Sequence, residues 1–157
     1  MSTGPVPPAT TPDSTDVLVV GAGPAGSAAA AWAARHGLDV VLADSATFPR
    51  DKACGDGLPP RAIAELGHLG LGGWVDSHGT NQGLRAHGFG QVLELPWPGG
   101  SLPAHGSAIP RTELDAGIRR VALEAGVTPM EGAKAVDVTF AGGRVDSVLF
   151  DDGRSVR

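Results

Sequence analysis

The sequence has no tyrosine and one cysteine, and four phenylalanines and three tryptophans leave it poor in aromatic rings. A core short of rings must close through small and branched aliphatics, and the 24 glycines suit backbones that approach closely. That mix fits an Ala/Gly/Val-rich α/β core better than a β-sandwich. The single thiol, Cys54, excludes an internal disulfide and fits a reducing compartment, so a cytoplasmic location is expected. Basic charge is scarce too. With a net charge of −5, no basic face is available to neutralise phosphates, which excludes nucleic acid as the main partner. The longest apolar stretch, residues 17–32, is broken by a glycine-rich loop and is no transmembrane span. No cationic segment precedes it, as a signal peptide would need. A length of 157 residues bounds the chain to one ordinary domain.

What is present is ordered punctuation. Residues 1–15, MSTGPVPPATTPDST, hold little to bury and read as a disordered leader. Residues 16–20 (DVLVV) are a β-branched run fit for a strand buried on both faces. An Ala-rich helix is expected over 24–36, stopped by Gly37, and a second buried strand over 39–43. A long loop follows over 44–60, then helical apolar spacing at Ile63, Leu66 and Leu69. Glycine and proline break up residues 70–106, leaving short strands near 83–88 and 91–95. Helical period returns over 112–124, and 127–130 reads as a third short strand. Residues 134–140 and 144–150 alternate about Ala141-Gly142-Gly143, a hairpin signal, before a turn that leads towards another strand.

GAGPAG at 21–26 matches G-x-G-x-x-G, which alone is weak because glycine-rich loops are common. Here it follows a buried strand and opens a helix, the context the motif needs. Gly21 permits the turn, Gly23 lets the backbone approach a pyrophosphate, and Gly26 lets the helix pack on the sheet. The helix start at Pro24, Ala25 and Gly26, with its free amides and the positive end of the dipole, marks an anion site. Asp44, with Ser45 beside it, closes the next strand 18 residues after Gly26 and is placed to accept ribose hydroxyls. A dinucleotide is therefore expected, and the spacing leaves NAD and FAD both open.

Phe48 to Ala62 reads FPRDKACGDGLPPRA, and here the chain resembles the geranylgeranyl reductase family of flavoproteins. GAGPAGSAAAAWAARHG and the later IPRTELD at 109–115 resemble its actinobacterial members, which include menaquinone reductases. The resemblance covers nearly the whole chain from Asp16 onward. It implies FAD as cofactor and an α/β, Rossmann-like domain of the p-hydroxybenzoate hydroxylase and glutathione reductase type, with a small β-hairpin insertion. It implies saturation of an isoprenoid C=C bond by reduced flavin, on a prenylated lipid or quinone, with peripheral membrane contact. It further implies that the chain is an N-terminal fragment, truncated before the substrate domain and not competent alone, with further strands beside 17–20.

In this setting Gly55 and Gly57 bracket Asp56 and clear side chains from a surface where a flat ring lies close. Lys52 brings a positive charge favouring an anionic reduced flavin. Cys54, flanked by Lys52 and glycine amides, is expected partly exposed with a lowered pKa and is the candidate proton donor. Read from its residue type alone, a free cysteine is more often a small buried hydrophobe. Arg111 matches a cofactor-reaching arginine, and the residue-level alternative is a helix-start side chain balanced by Glu113 and Asp115. Arg50 and Arg61 are weaker candidates. The five histidines lack metal-ligand spacing, so no metal site is expected. Two other readings remain: a flavin-dependent aromatic monooxygenase on the same fold, and a non-catalytic dinucleotide-binding module.

Overall fold

The structure is a computed structural model and describes residues 12–157. In chain order the elements are β1 (Val17–Val20), α1 (Pro24–Arg35), β2 (Val40–Ala43), β3 (Gly57–Leu58), α2 (Pro60–His68), α3 (Gly72–Asp76) and β4 (Gly83–Gly88). They continue as β5 (Gln91–Pro96), β6 (Ser107–Ala108), α4 (Arg111–Glu124), β7 (Thr128–Met130), β8 (Ala135–Ala141), β9 (Arg144–Phe150) and β10 (Ser155–Val156). The chain divides into two compact units, one of residues up to Thr47 with Ala122–Arg157 and one of Phe48–Val121.

In the first unit β1, β2 and β7 form a parallel sheet in the order β1-β2-β7. Val17 lies opposite Val40 and Val20 opposite Ala43, while Val41 and Ala43 face Thr128 and Met130 on the other side. All four residues of the central strand β2 are buried, as a VVLA run between two parallel neighbours requires. β1 departs from the expectation. It is only half-buried and Val20 is 52% exposed, because β1 is an outer strand of this sheet. The outer strand β7 tolerates Pro129, whose missing N–H would break a central ladder.

The Ala-rich helix α1 begins with proline in its first turn and buries Ser27, Ala30 and Ala31. It ends as the sequence indicates. Gly37 takes φ +84°, and the Gly37 and Leu38 amides return to Ala34 O and Ala33 O at 2.9 and 3.3 Å. This double bond pattern closes a helix on a left-handed glycine. The β8–β9 hairpin turns on Gly142 and Gly143 at φ +59° and +78°, the conformation that a two-residue turn demands. β10 then pairs antiparallel with β9. Phe150 and Val156 from this sheet bury with Val41, Ala43, Met130 and Ala133.

Of the expected leader, residues 1–11 lie outside the described residues. Asp13 and Thr15 are tied to the last residue: the Arg157 amide donates to Asp13 O at 3.0 Å and the Thr15 amide to Arg157 O at 2.8 Å.

The second unit pairs β3 with β6 and β4 with β5. Its buried side chains include Ile63, Leu66, Leu71, Val75, Ile109, Leu114 and Ile118. Three of its elements, α3, β3 and β6, have no counterpart in the sequence reading. The helix α3 starts on two glycines, poor helix formers, and is set by packing: Val75 is buried. Trp74 reaches Gly117 of α4, where a Cβ would stand 3.1 Å from the indole Cη2. The β3–β6 ladder is two residues long on each side, too short for any periodicity to reveal. The β4–β5 turn carries Phe89 at φ +50° beside Gly90 at +74°, so one position of a glycine-type turn is filled by an exposed ring.

Candidate cofactor site

The glycine-rich loop of the first unit is held from both ends. The Gly21 amide donates to Ala43 O at 2.7 Å, and Gly21 takes φ +107°, which only glycine adopts without strain. Ala22 is buried, and its amide donates to Asp44 Oδ2 at 2.7 Å. Asp44 Oδ1 accepts the Ala46 amide at 2.8 Å, and Ser27 Oγ donates to Ala22 O at 2.9 Å. Asp44 is thus a brace for the loop as well as a carboxylate at the strand end. Each of its oxygens keeps a lone pair for another donor. Ser45 beside it is exposed.

Gly26 sits where helix and strand nearly touch. A Cβ there would stand 1.8 Å from Gly21 O and 3.2 Å from Val19 Cγ1. Gly23 behaves differently. As the residue capping α1 it has φ −71° and ψ −176°, extended backbone that any residue adopts. The first turn of α1 carries no side-chain cap and no acidic residue. The Ala25 and Gly26 amides belong to the first turn, which helix geometry leaves without intrahelical acceptors, and Pro24 has no N–H to offer. An uncapped, positively polarised helix start behind a side-chain-free loop fits an anionic pyrophosphate.

In the second unit, residues 54–57 lead into the β3–β6 ladder, and the Ile109 amide donates to Asp56 O at 3.0 Å. This pairing draws the turn alongside the start of α4. The left-handed position is Asp56, at φ +55°, and not either glycine. A Cβ on Gly55 would meet nothing within 4 Å, and one on Gly57 only Gly55 O at 3.8 Å. Neither glycine is demanded by protein packing. Lys52 is exposed.

Cys54 is exposed, and its thiol lies below the ordinary cysteine value. The Asp56 amide is the main cause, followed by a hydrogen bond from the Arg111 guanidinium. The expected lowering is present and a backbone amide of the turn leads it; the cation that adds to it is Arg111 and not Lys52. Arg111 in turn grips Asp115 with two bonds, Nε to Oδ1 at 2.6 Å and Nη2 to Oδ2 at 2.9 Å. Asp115 raises the guanidinium pKa further. Arg50 Nη2 reaches the same Asp115 Oδ2 at 3.1 Å, and the Asp115 side chain is fully buried. The Arg50 and Arg119 guanidiniums stand over the Phe48 ring at 5.2 and 5.1 Å. Glu113, expected to balance Arg111, faces His78 Nε2 at 3.3 Å instead. Arg61 is an exposed partner of Glu65.

Of the two acids expected to balance Arg111, Asp115 does so; that it is buried and shared with Arg50 was not foreseen. Its spacing of four from Arg111 on a helix was the readable signal. The convergence of Arg50 from a loop was not.

Residues 14–155 match the family described as FAD binding domain. The chain belongs to that family. FAD is accordingly the cofactor of the domain, and the choice that the fingerprint left open is closed. The chain is 63% identical over 142 residues to a menaquinone reductase of Mycolicibacterium smegmatis, covering 90% of this chain and 35% of that protein. It is 32% identical over 137 residues to digeranylgeranylglycerophospholipid reductase 1 of Methanopyrus kandleri, covering 87% of this chain and 34% of the relative. These matches bear out the resemblance to the geranylgeranyl reductase family. The chain spans about a third of the length of these curated relatives. Among solved structures it resembles a myxobacterial chondrochloren halogenase with a TM-score of 0.81 and 24% identity, over 92% of this chain and 35% of that one, a likeness of fold. Among the described residues no helix of this FAD-binding domain is long and apolar enough to cross a membrane.

Proposed function

We propose that this FAD-binding domain serves a reductase that saturates an isoprenoid C=C bond, on a menaquinone prenyl chain or a geranylgeranyl lipid. The observation that carries the reading is the 63% identity to a menaquinone reductase over 142 residues. Bound and reduced, FAD supplies a hydride equivalent to the alkene. In the first unit the Ala25 and Gly26 amides take the pyrophosphate, and Gly21 and Gly23 keep the loop clear of side chains. Pro24 fixes the entry to α1. Asp44, with Ser45 alongside, accepts the ribose hydroxyls while still bracing Ala22.

In the second unit, Lys52, Gly55, Asp56 and Gly57 are the candidates to meet the flavin ring, with Arg111 as a candidate cation for the cofactor. Cys54 is the acid that protonates the second alkene carbon, since a lowered thiol pKa makes it the stronger donor. Long prenyl substrates bring the enzyme into peripheral contact with a membrane surface.

The test is direct. The whole reductase that this domain serves, FAD-loaded and reduced, is incubated anaerobically with a menaquinone, and the product is weighed by mass spectrometry. A gain of two hydrogens in the prenyl chain supports the reading. NADPH-driven oxygen consumption with an aromatic acceptor, and no such gain, would move the protein to the monooxygenase class. Two variants separate the roles. Asp44→Ala removes both the ribose acceptor and the Ala22 brace, and FAD affinity in a fluorescence titration falls roughly ten- to a hundredfold, as loss of a charged hydrogen bond predicts. Cys54→Ala keeps FAD affinity and slows product formation. An unchanged rate removes Cys54 as the donor.

A further inference from the structure

A groove of about 230 Å³ opens in the second unit between the start of α2 and the 97–103 loop. Pro59 and Pro60 line it from the helix, and Trp97, Pro98, Leu102 and Pro103 line it from the loop. No side chain among these six carries a free polar atom. Proline and leucine have none, and the Trp97 Nε1–H is spent on Asn81 Oδ1 at 2.8 Å. Arg61 also borders the groove. Its side chain is 80% exposed and its guanidinium faces Glu65 at 3.8 Å, so its charge stays in water.

Both sides of the groove are held in place. The Trp97 amide donates to Gln82 O at 3.0 Å, and Asn81 and Gly106 exchange backbone bonds of 2.9 Å. The loop is therefore tied at both ends to the segment at Asn81. Gly106 lies so close to β3 that a Cβ on it would stand 2.6 Å from Leu58 O. Leu58 pairs with Ser107 in the β3–β6 ladder, and the next residue is Pro59. The two sides are thus joined through the ladder into which the 54–57 turn leads. Proline rings lose no rotamer freedom when a ligand arrives, so such a surface is set in advance.

We propose that this groove seats a stretch of the prenyl chain of the substrate. The assignment rests on the reductase reading and adds to it the surface that receives the apolar tail. Three observations commit it to this occupant. Pro59 follows Gly57 by two residues, so the groove is continuous with the turn proposed to meet the flavin. Its lining is hydrocarbon with no charge inside, which matches an isoprenoid and gives a quinone head or a phosphate no partner. Its volume lies below the roughly 300–1,000 Å³ of a pocket that encloses a whole ligand, as a seat for part of a chain requires. The larger groove beside β4 and β5, about 370 Å³, fits less well. Arg85 Nη2 and Glu94 Oε1 pair on its wall at 2.6 Å, and an alkyl chain there would strip water from both charges.

Two probes divide the substrate. Geranylgeraniol is a prenyl chain without a quinone, and menadione is a quinone head without a chain. Both are titrated into the FAD-loaded 157-residue chain and into Leu102→Asp. Leu102 is 39% exposed, so the change sets a carboxylate in the groove without emptying a core. Saturable binding of geranylgeraniol is expected. It weakens roughly tenfold or more in Leu102→Asp, because an alkyl chain leaves a carboxylate unpartnered. FAD affinity stays native, and a parallel loss of it would mark a disturbed cofactor site and contradict the assignment. Absent or equal binding of geranylgeraniol by the two chains overturns it, as does menadione binding as tightly as geranylgeraniol. If Leu102→Asp loses its thermal transition, a diazirine-tagged geranylgeraniol on the native chain decides. Adducts within 59–61 and 97–103 are expected, and adducts confined to other segments contradict the proposal. The reductase reading fails separately. Geranylgeraniol binding that Leu102→Asp weakens, in a protein that adds no hydrogen to menaquinone, removes that reading and keeps the prenyl site. A whole reductase that adds hydrogen, and keeps its native KM for menaquinone in Leu102→Asp, does the opposite.

Discussion

A Gly26→Ala chain is expected to lose FAD binding and to be less stable by about 3 kcal/mol, the upper end of the overpacking range. The cost is high because the added Cβ meets backbone, not a yielding side chain. It would stand 1.8 Å from Gly21 O. The strand end cannot retreat, since Gly21 is bonded to Ala43 O at 2.7 Å and Ala22 to Asp44 at 2.7 Å. The start of α1 must move outward instead, and the Ala25 and Gly26 amides move with it. Gly37→Ala is the matched control. That position has φ +84° and open space around it, so alanine costs about 1 kcal/mol of backbone strain there and leaves FAD affinity unchanged. Denaturant melts and a flavin-fluorescence titration of both chains check the pair.

The second large effect falls on Asp115. Asp115→Ala strands two arginines beside a buried hole, and removing one partner of a buried ion pair costs about 3–5 kcal/mol. Arg50 and Arg111 are partly exposed, which places the loss near the lower end. The cost is a penalty for uncompensated charge and not the net value of the pairing. A triple change of Asp115, Arg50 and Arg111 to apolar residues of similar volume should therefore lose less than Asp115→Ala alone in a urea melt. A triple variant that is weaker than the single one would show that the cluster itself holds the second unit together.

Sequence and structure agree wherever a residue acts on its own chain neighbours. Gly21, the Gly37 stop and the Gly142-Gly143 turn meet local demands of backbone conformation, and Gly26 meets a close approach within the same loop. They were legible for that reason. The long-range features were not. β1 reads as a fully buried strand from DVLVV, and its exposure depends on where it falls in the sheet order. The Phe89-Gly90 turn carries half of a glycine-type signal, and an exposed phenylalanine hides the other half. α3 is helical against the propensity of Gly72 and Gly73 because Val75 is buried and Trp74 packs on Gly117, far along the chain.

The cofactor site shows the same division. Asp44 was placed by spacing, and its second duty as a brace for Ala22 needed the fold. Cys54 was suspected of a lowered pKa for the wrong cation. Lys52 is near in sequence, whereas Arg111 arrives across the β3–β6 ladder. Asp115 read only as an acid balancing Arg111; that it is fully buried and shared with Arg50 needed the fold.

The central claim is that the loop at 21–26 holds the pyrophosphate of FAD. Titrating FAD into the 157-residue chain, into Gly26→Ala and, in parallel, NAD into the native chain tests it in one experiment. The account predicts saturable FAD binding by the native chain, none by Gly26→Ala and none of NAD. Equal FAD binding by native and Gly26→Ala chains, or saturable binding of NAD in place of FAD, would contradict it.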